Sequence, residues 1–471
     1  MKRTLIANGA LAIVLVLLAL AVRHRARERD VHPAAATLPA IPPSTAPAPE
    51  THPGCLYGRI TTVDGAIYEG RLRWGGDQEA FWGDYFNGFK PRNPWAAHVP
   101  PGRLPRERRP IEILGVEIAH RERPIDLSRP FMARFGDIAR IEARGRDVRV
   151  TLKSGTVFDL NRFDASDFDD GVRVWDGKRG VVDLDSLRIR TIELLPTPPL
   201  SAVPSRLHGT VRTRQGDFTG FVQWDRQECV GPDTLDGHTS KGKLSLRFDT
   251  IHSIARRSRD SALVTLLDGR QIVLSGSREV GHDNRGIYVD DRRYGRVLVS
   301  WDAFERVDFS PGPPGDTGPA YGDFPPGRPL AGSVTTHAGR RLAGRLVYDL
   351  DESETTDTLD APSQGVDYTL PFGLIASIVL PGREERARVT LQSGEELRLE
   401  RSGDLGKGNA GVLVFAGGRQ PPEYVPWTDV ARVDLDRPPA MYPPPGGNQI
   451  EAGPIERPEP SPSARTLPGS G

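Results

Sequence analysis

A glycine-centred hairpin motif that recurs along the chain constrains the fold more than any other sequence feature. It occurs as LYGRITTVDGAIYEGRLRW from Leu56, LHGTVRTRQGDFTGFVQW from Leu207 and LAGSVTTHAGRRLAGRLVY from Leu330. Apolar and polar residues alternate on both sides of the central glycine, which predicts two strands. Gly65, Gly216 and Gly339 stand where a tight hairpin needs positive φ, which glycine adopts without steric cost. The three-fold coincidence indicates internal duplication.

Each copy continues with a second hairpin. The segments VRVTLKSGTVFDL, ALVTLLDGRQIVL and ARVTLQSGEELRL place Gly155, Gly269 and Gly394 at the turn. Both halves of a copy end on an aromatic residue, a short helical step and an alternating strand, as in FGLIASIVL and WTDVARVDL. A unit of about 55 residues is therefore repeated, and each copy holds two units. The copies occupy 55–198, 206–311 and 330–437.

This succession of short strands, turn glycines and a closing aromatic step resembles the small SH3-like or Sm-like β-barrel, in tandem copies as in uncharacterised exported bacterial proteins. The resemblance implies an all-β fold of three two-part copies, each half a small barrel, after one N-terminal hydrophobic helix. It implies no function, because one fold hosts many functions. Since so small a unit buries a limited core, the halves should pack together. Trp74, Trp224, Trp301 and Trp427 are the predicted interior aromatics.

The N-terminus is a candidate targeting segment. Within residues 1–30, a short basic start precedes an apolar run of about 18 residues, which is at the lower edge of what spans a bilayer. Retention as a signal anchor and cleavage near Ala21 are both open. The Pro/Ala-rich linker at 31–54 favours a body in the periplasm or outside the cell. The four arginines from Arg23 to Arg29 and the positive-inside rule favour a body facing the cytoplasm.

Composition narrows the functional classes. The 62 basic residues balance the 62 acidic ones, so no overall field predicts nucleic acid as a partner. Phosphate-binding loops, zinc-protease motifs and nucleophile-elbow motifs are absent from the sequence, which predicts neither an enzyme nor a bound cofactor. Cys55 and Cys229 are interpreted as two thiols, with a disulfide as the alternative in an exported chain. The Pro-rich tail at 438–471 is predicted to be disordered.

An acidic set follows the first hairpin of every copy. By spacing, Glu79, Asp84 and Asn87 correspond to Glu228, Asp233 and Asp236, and to Glu352, Asp357 and Asp360. Asp and Asn before a small residue suit turns, where they cap their own backbone, and this is the first interpretation. The alternatives are a basic partner and a hard-cation site, because Ca²⁺ takes several oxygen ligands from a flexible loop. Glu352, Asp357 and Asp360 belong to the most acidic copy and are the candidate calcium ligands.

Copy one also carries a basic insertion at about 89–134. One interpretation is a solvated charged face. The other is a docking surface for an anionic partner, such as envelope polymer, phospholipid or an acidic copy of the same repeat. The candidate partner-binding residues are Trp95, Arg106, Arg108 and Arg109.

Together these features favour a non-catalytic, membrane-tethered repeat protein of the bacterial envelope, which binds or scaffolds through tandem barrels. Several weak contacts along one tether would strengthen binding by raising the effective concentration. The alternatives are a carboxylate-based hydrolase acting on envelope polysaccharide and a cytoplasm-facing scaffold. The positions of Asp84, Asp233 and Asp357 discriminate between these classes. One deep cleft with raised-pKa partners would favour the enzyme, and separate turn caps would disfavour it.

Overall fold

The structure, a computed structural model, describes residues 52–100, 102–104, 106–113, 116–124, 127–163, 165–200, 203–310, 318–382, 385–417 and 420–438. For residues 106–113 and 116–124 it describes the backbone alone. The predicted targeting segment, most of the linker and the tail beyond residue 438 lie outside these ranges. Within them the protein is all-β, as predicted. None of the described helices has the length and apolar character that crossing a membrane requires.

Ten strands recur in each copy, and copy one has two more in its insertion. Copy one contains β1 (Tyr57–Thr62), β2 (Ile67–Trp74), β3 (Tyr85–Lys90), β4 (Arg106–Ile113), β5 (Val116–Pro124), β6 (Arg129–Arg134), β7 (Ile138–Arg144), β8 (Asp147–Leu152), β9 (Val157–Asn161), β10 (Val172–Asp176), β11 (Gly180–Leu184) and β12 (Ile189–Leu194). Copy two contains β13 (His208–Thr213), β14 (Gly216–Gln223), β15 (Thr234–Thr239), β16 (Gly242–Arg247), β17 (Ile251–Ser258), β18 (Ser261–Leu266), β19 (Gln271–Ser275), β20 (Ile287–Asp291), β21 (Gly295–Val299) and β22 (Phe304–Phe309). Copy three contains β23 (Ala331–Thr336), β24 (Arg341–Val347), β25 (Thr358–Ser363), β26 (Val366–Pro371), β27 (Ile375–Val379), β28 (Arg386–Leu391), β29 (Glu396–Glu400), β30 (Val412–Phe415), β31 (Glu423–Val425) and β32 (Val430–Leu435).

Short helical turns connect these strands. One α-helical turn, α1 (Ser166–Asp169), lies in copy one. The 3₁₀ turns are η1 (Pro94–His98), η2 (Phe135–Asp137), η3 (Ser186–Arg188), η4 (Phe248–Thr250), η5 (Arg278–Val280), η6 (Tyr321–Asp323), η7 (Phe372–Leu374), η8 (Gly403–Leu405) and η9 (Trp427–Asp429). The predicted aromatic step at the end of a half is therefore a 3₁₀ turn that begins at a buried aromatic ring, as at Phe248 and Trp427.

The two halves of a copy exchange hairpins. In copy two the strand order is β16-β15-β19-β18-β17-β22-β13-β14-β20-β21. The first hairpin, β13–β14, therefore lies between β22 and β20 of the second half, and β18–β19 of the second half lies between β17 and β15. Copies one and three repeat this order for eight strands; the counterpart of β15–β16 is the separate β3–β6 pair in copy one and the β25–β26 pair, joined to copy two, in copy three. The structure thus refines the expected two-part unit, because the strands around each half come from both halves. Duplicated halves permit this, since either hairpin fits either partner.

The sequence-predicted turns and interior aromatics are confirmed. Gly65, Gly216 and Gly339 have φ values of 84°, 135° and 81°. The tryptophans Trp74, Trp224, Trp301 and Trp427 are at most 7% exposed. In copy two, the rings of Trp224 and Trp301 meet edge to face with centroids 6.3 Å apart. Such aromatic contacts fill the small volume that paired hairpins enclose.

The copies are joined by strand pairing and by the insertion. Strand β21 of copy two pairs with β26 of copy three, which gives one 12-stranded sheet. A small apolar cluster joins the insertion to copy three: Val99 packs with Val347, Leu350 and Leu413, and Trp95 packs against the same group. The insertion of copy one therefore docks on copy three within the same chain.

Candidate functional site

A tight turn sets the geometry of each acidic set. In copy three, Tyr348 pairs with Glu352, and Asp349 and Leu350 between them have φ values of 50° and 53°. Two successive positive φ values are the signature of a type I′ turn, which matches the twist of the flanking strands. In copy two, Trp224 pairs with Glu228 in the same way.

This pairing corrects one correspondence made from spacing. In copy one the aromatic Trp74 pairs with Gln78. The counterpart of Glu228 and Glu352 is therefore Gln78, and Glu79 lies one residue later. Copy one thus has an amide where the other copies have a carboxyl group.

The middle aspartate of each set caps its own loop. The turn prediction is wrong for the last residue of each set, because Asn87, Asp236 and Asp360 lie within strands β3, β15 and β25. One oxygen of Asp84 accepts hydrogen bonds from the backbone N–H groups of Glu79 and Ala80, at 2.8 and 2.9 Å. Asp233 and Asp357 likewise each accept hydrogen bonds from two backbone N–H groups, those of the residues four and three positions earlier in the chain, at 2.7–3.0 Å. Only Asp357 of the three also lines the cavity described next.

A cavity of about 390 Å³ lies where the three copies meet. Copy one contributes strands β3 and β6. Copy two contributes the β20–β21 hairpin and Arg226, which lies in the type I′ turn after Trp224. Copy three contributes its acidic set. Its lining includes the carboxyl groups of Asp349, Asp351, Glu352, Asp357, Asp360, Asp367 and Asp404. Its cations are Lys90, Arg129 and Arg226. We call this the acidic cavity, because carboxyl groups exceed cations seven to three.

Two cations of copy one hold the rim of the acidic cavity. Lys90 Nζ lies 2.5 Å from Asp351 Oδ1, and Arg129 lies 3.3 Å from Asp349. Burial alone would lower the pKa of Lys90, but the attraction of Asp351 and Asp357 raises it above its ordinary value. Lys90 therefore stays charged and neutralises part of the site.

Burial raises the pKa of several carboxyl groups that line the acidic cavity. It raises the pKa of Asp349 and of Asp357 to about 6, although Arg129 and Lys90 respectively oppose the shift. Burial and then neighbouring carboxylates raise the pKa of Glu352 and of Asp404 well above their ordinary range. One buried oxygen of Glu352 has no hydrogen-bond partner among the described residues. Carboxyl groups of the acidic cavity that lack a cationic partner are therefore neutralised by protonation.

A second acid, which the sequence reasoning missed, supports each set from the other half of its copy. Asp404 accepts a hydrogen bond from the backbone N–H of Asp360 at 2.6 Å. Glu279 does the same for Asp236 at 2.6 Å, and Asp167 does so for Asn87 at 2.8 Å. These acids lie 43, 44 and 80 residues from their partners, so local spacing could not identify them. Their position in the sequence could have identified these acids, because each one lies a few residues before a turn glycine such as Gly411.

The predicted calcium ligands do meet at one site. Glu352, Asp357 and Asp360 all line the acidic cavity. Asp357 and Asp360 already accept hydrogen bonds, Asp360 from the Thr369 hydroxyl at 2.6 Å. Within the described residues, no three His, Cys, Asp or Glu side chains are arranged to hold a metal ion.

The predicted partner-binding residues of the insertion belong to two elements, Trp95 to η1 and the three arginines to β4. The ring of Trp95 packs against Phe415 of copy three, with centroids 6.1 Å apart, and the Arg345 guanidinium lies 5.4 Å from it. Arg106, Arg108 and Arg109 belong to strand β4, where the structure describes the backbone alone.

The two cysteines are not joined by a disulfide. Both are buried, and the Cys229 thiol lies 3.0 Å from the Asp77 carbonyl oxygen of copy one. The interpretation as two thiols is confirmed. Comparison of the chain with protein-family models, curated proteins and solved structures gives no significant match.

Proposed function

We propose that the protein is a non-catalytic binding protein of the bacterial envelope, held near a membrane by its N-terminal segment, and that its acidic cavity receives a cationic group of a partner. The observation that carries this proposal is the excess of carboxyl groups over cations in a concave site. Concave sites with a few convergent polar groups are where ligands bind. An arginine or lysine side chain of a protein partner supplies the charge that the site lacks.

The raised pKa values give the proposal a physical basis. Among the described residues, one buried oxygen of Glu352 has no hydrogen-bond partner, and burial raises the pKa of this carboxyl group. A bound guanidinium or ammonium group would supply both a donor and a positive charge, so Glu352 would release its proton on binding. The binding affinity should therefore increase as pH rises above the ordinary pKa range of a glutamate.

The test uses the full-length chain and two capped tripeptides, acetyl-Gly-Arg-Gly-amide and acetyl-Gly-Gln-Gly-amide, in isothermal titration calorimetry. We expect the arginine peptide alone to bind, with proton release visible as a dependence of the heat on buffer ionisation. Glu352→Gln should weaken binding at least tenfold. Asp302→Asn is the matched control, because it removes a carboxylate that is 89% exposed and lies outside the cavity. Equal binding of both peptides, or equal weakening by both variants, would refute the proposal.

One observation favours a hydrolase as the second candidate. Asp349 and Asp357 have pKa values of about 6, in the range in which a carboxyl group can donate a proton near neutral pH. Against it, the middle aspartates serve as separate loop caps and do not converge on one cleft. Incubation of the full-length chain with cell-wall polysaccharide, assayed for new reducing ends, tests it. Activity that Asp349→Asn abolishes would favour the enzyme over the binding protein.

Calcium is the inorganic alternative for the acidic cavity, through Glu352, Asp357 and Asp360. A calcium titration followed by thermal melting tests it, and an unchanged midpoint at millimolar calcium would exclude it. The envelope location is tested separately, by alkaline phosphatase fused after residue 438. Phosphatase activity in intact cells supports a body outside the cytoplasm. Inactive fusions that a fluorescent-protein fusion rescues would favour the cytoplasm-facing scaffold.

A further inference from the structure

A second large cavity, of about 1040 Å³, lies on copy three and differs from the acidic cavity in charge. Strand β31, the turn η9 and the loop that follows β29 form most of it, and the insertion of copy one adds Arg103. Its cationic lining residues are Arg103, Arg401 and Lys407, and Glu385 is the carboxylate among those that line it. We call it the basic cleft.

Within the described residues, the cations of the basic cleft have no carboxylate partner. Among the residues that the structure describes, no carboxylate forms an ion pair with Arg103, Arg401 or Lys407. Arg401 instead donates to the Pro381 carbonyl oxygen at 3.4 Å, and the Arg103 guanidinium lies 5.6 Å from the Tyr424 ring. Many other arginines of the described chain are paired with carboxylates, for example Arg340 with Glu423. Three uncompensated cations around one cavity attract anions.

Copy two offers an internal comparison, because its corresponding loop is built in the same way. Asn284 donates to the Glu279 carbonyl oxygen at 3.0 Å and accepts from the Gly286 N–H at 2.8 Å. Asn409 makes the equivalent bonds, at 2.7 and 2.8 Å. His282 of copy two therefore corresponds to Lys407 of copy three.

The two loops differ in the ion pairing at this position. His282 contacts the carboxylates of Asp260 and Asp283, at 2.5 and 3.3 Å. In copy two the indole N–H of Trp301 donates to the Arg259 carbonyl oxygen at 2.9 Å. Its counterpart Trp427 is 7% exposed, lines the basic cleft, and has no partner for its indole N–H among the described residues. At this position copy two pairs a histidine with two carboxylates, whereas copy three presents Lys407 to the cleft with no ion-pair partner among the described residues.

We propose that the basic cleft binds an oligoanion that carries two or more carboxylate or phosphate groups. Arginine guanidinium groups match both oxyanions with paired N–H donors, and the lysine adds a point charge. The cleft has the volume for several such groups, and the buried indole N–H of Trp427 offers one more donor. This inference concerns a different site and the opposite ligand charge from the proposed function. The two sites share one loop, which presents Asp404 to the acidic cavity and Lys407 to the basic cleft.

The test uses the full-length chain with two probes, trigalacturonate for carboxylates and inorganic tripolyphosphate for phosphates, in titration calorimetry at low and moderate salt. We expect at least one probe to bind. The double variant Arg401→Gln/Lys407→Gln should weaken that binding at least tenfold. The matched control is Lys178→Gln/Arg190→Gln, which removes the same charge from two exposed, unpaired side chains of copy one.

The two probes distinguish the ligand sources. Binding of trigalacturonate alone supports an acidic glycan, and binding of tripolyphosphate alone supports a phosphorylated ligand. The proposal is overturned if neither probe binds, or if the control double variant weakens binding as much as the cleft variant. Circular dichroism melting of each variant separates lost binding from lost folding. Asp302→Asn should leave anion binding unchanged, and the anion probes are titrated separately from the arginine peptide, so failure here and failure of the cationic-ligand proposal are distinguishable.

Discussion

The acidic sets of the duplicated repeat meet two different environments, at the junction of copies one and two and at the acidic cavity. At the first junction four carboxylates, those of Glu79, Asp84, Asp233 and Asp290, each meet an arginine. Arg296 lies 3.2 Å from Asp84 and 3.0 Å from Asp290, and a second arginine, Arg206, lies 3.4 Å from Asp290. Arg73 joins Glu79 of copy one to Asp233 of copy two, at 2.7 and 3.5 Å. We call this the balanced network.

At the acidic cavity the same kind of loop contributes to a lining of seven carboxyl groups that has only three cations. The difference teaches that duplication placed the acids at equivalent positions, and that the number of cations facing them determines what the acids do in each copy. Where arginines came to face them, the acids hold two copies together. Where too few did, burial keeps some acids protonated at a free-energy cost to the fold, which a cationic ligand would offset.

Breaking the balanced network should have the largest effect. Arg296 is 7% exposed, and its removal in Arg296→Leu leaves Asp84 and Asp290 buried with one less counter-charge. We expect the free energy of unfolding to fall by about 3–5 kcal/mol, the range for breaking a buried ion pair from one side. Urea denaturation of the full-length chain measures it. Arg214→Leu is the control, because that side chain is 80% exposed and its Glu305 partner is 3.7 Å away, so the fall should stay below about 1 kcal/mol.

Removing the main cation of the acidic cavity should have the next largest effect. Lys90→Met keeps the apolar stem and deletes the charge that faces Asp351 and Asp357. Because Lys90 and Asp351 remain 18% and 11% exposed, we expect a loss of about 2–3 kcal/mol at pH 7.5, which is less than for a fully buried pair. The loss should shrink at pH 5.5, where the carboxyl groups take up protons. An equal loss at both pH values would mean that Lys90 acts through packing alone.

Local chemistry explains which parts of this comparison could be predicted from sequence. The strands, the turn glycines and the interior tryptophans follow from alternation and from positive φ, which depend on neighbouring residues. The loop-capping role of Asp84 also follows, since it bonds to N–H groups four and five residues back. The exchange of hairpins does not follow, because either half can complete the other equally well.

The acidic cavity could be predicted only in part. The sequence identified the acids of copy three, including Glu352, as the most concentrated set. It could not identify Lys90 as their counter-charge, because the two ions of the Lys90–Asp351 pair are 261 residues apart. The correspondence of Gln78 with Glu228 required strand pairing, since one extra residue in the spacing disguised it.

The pH dependence of the intact protein should sharpen the contrast. Asp349 and Asp357 have folded-state pKa values of about 6 against an ordinary 3.8, so the folded state binds more protons than the unfolded state between these values. Stability should therefore rise as pH falls from 7.5 to 5.5, with these two groups contributing about 1–2 kcal/mol together. Denaturation midpoints at four pH values measure it. The Asp349→Asn/Asp357→Asn variant should flatten the dependence, and Asp302→Asn should leave it intact.

The smallest expected effect comes from copying the amide of copy one into copy two. Burial, and then repulsion from Glu279, raises the pKa of Glu228 to about 8, and one of its buried oxygens has no hydrogen-bond partner among the described residues. Folding therefore keeps a proton on Glu228 at neutral pH, which the unfolded chain would release. Glu228→Gln removes that requirement, as Gln78 does in copy one. We expect a gain of about 1 kcal/mol at pH 7.5, because the group is partly solvated, and no gain at pH 4.5, where the unfolded chain also holds the proton.

The reverse substitution gives the matched control for this last effect. Gln78→Glu introduces a carboxyl group beside Asp167, whose pKa burial already raises. It should lower stability at pH 7.5 and restore it toward pH 4.5, a mirror image of Glu228→Gln in one series of urea titrations. If both variants shift stability in the same direction at pH 7.5, the two positions differ in more than protonation. Packing, and not the absence of charge, would then explain why copy one has Gln78 at this position.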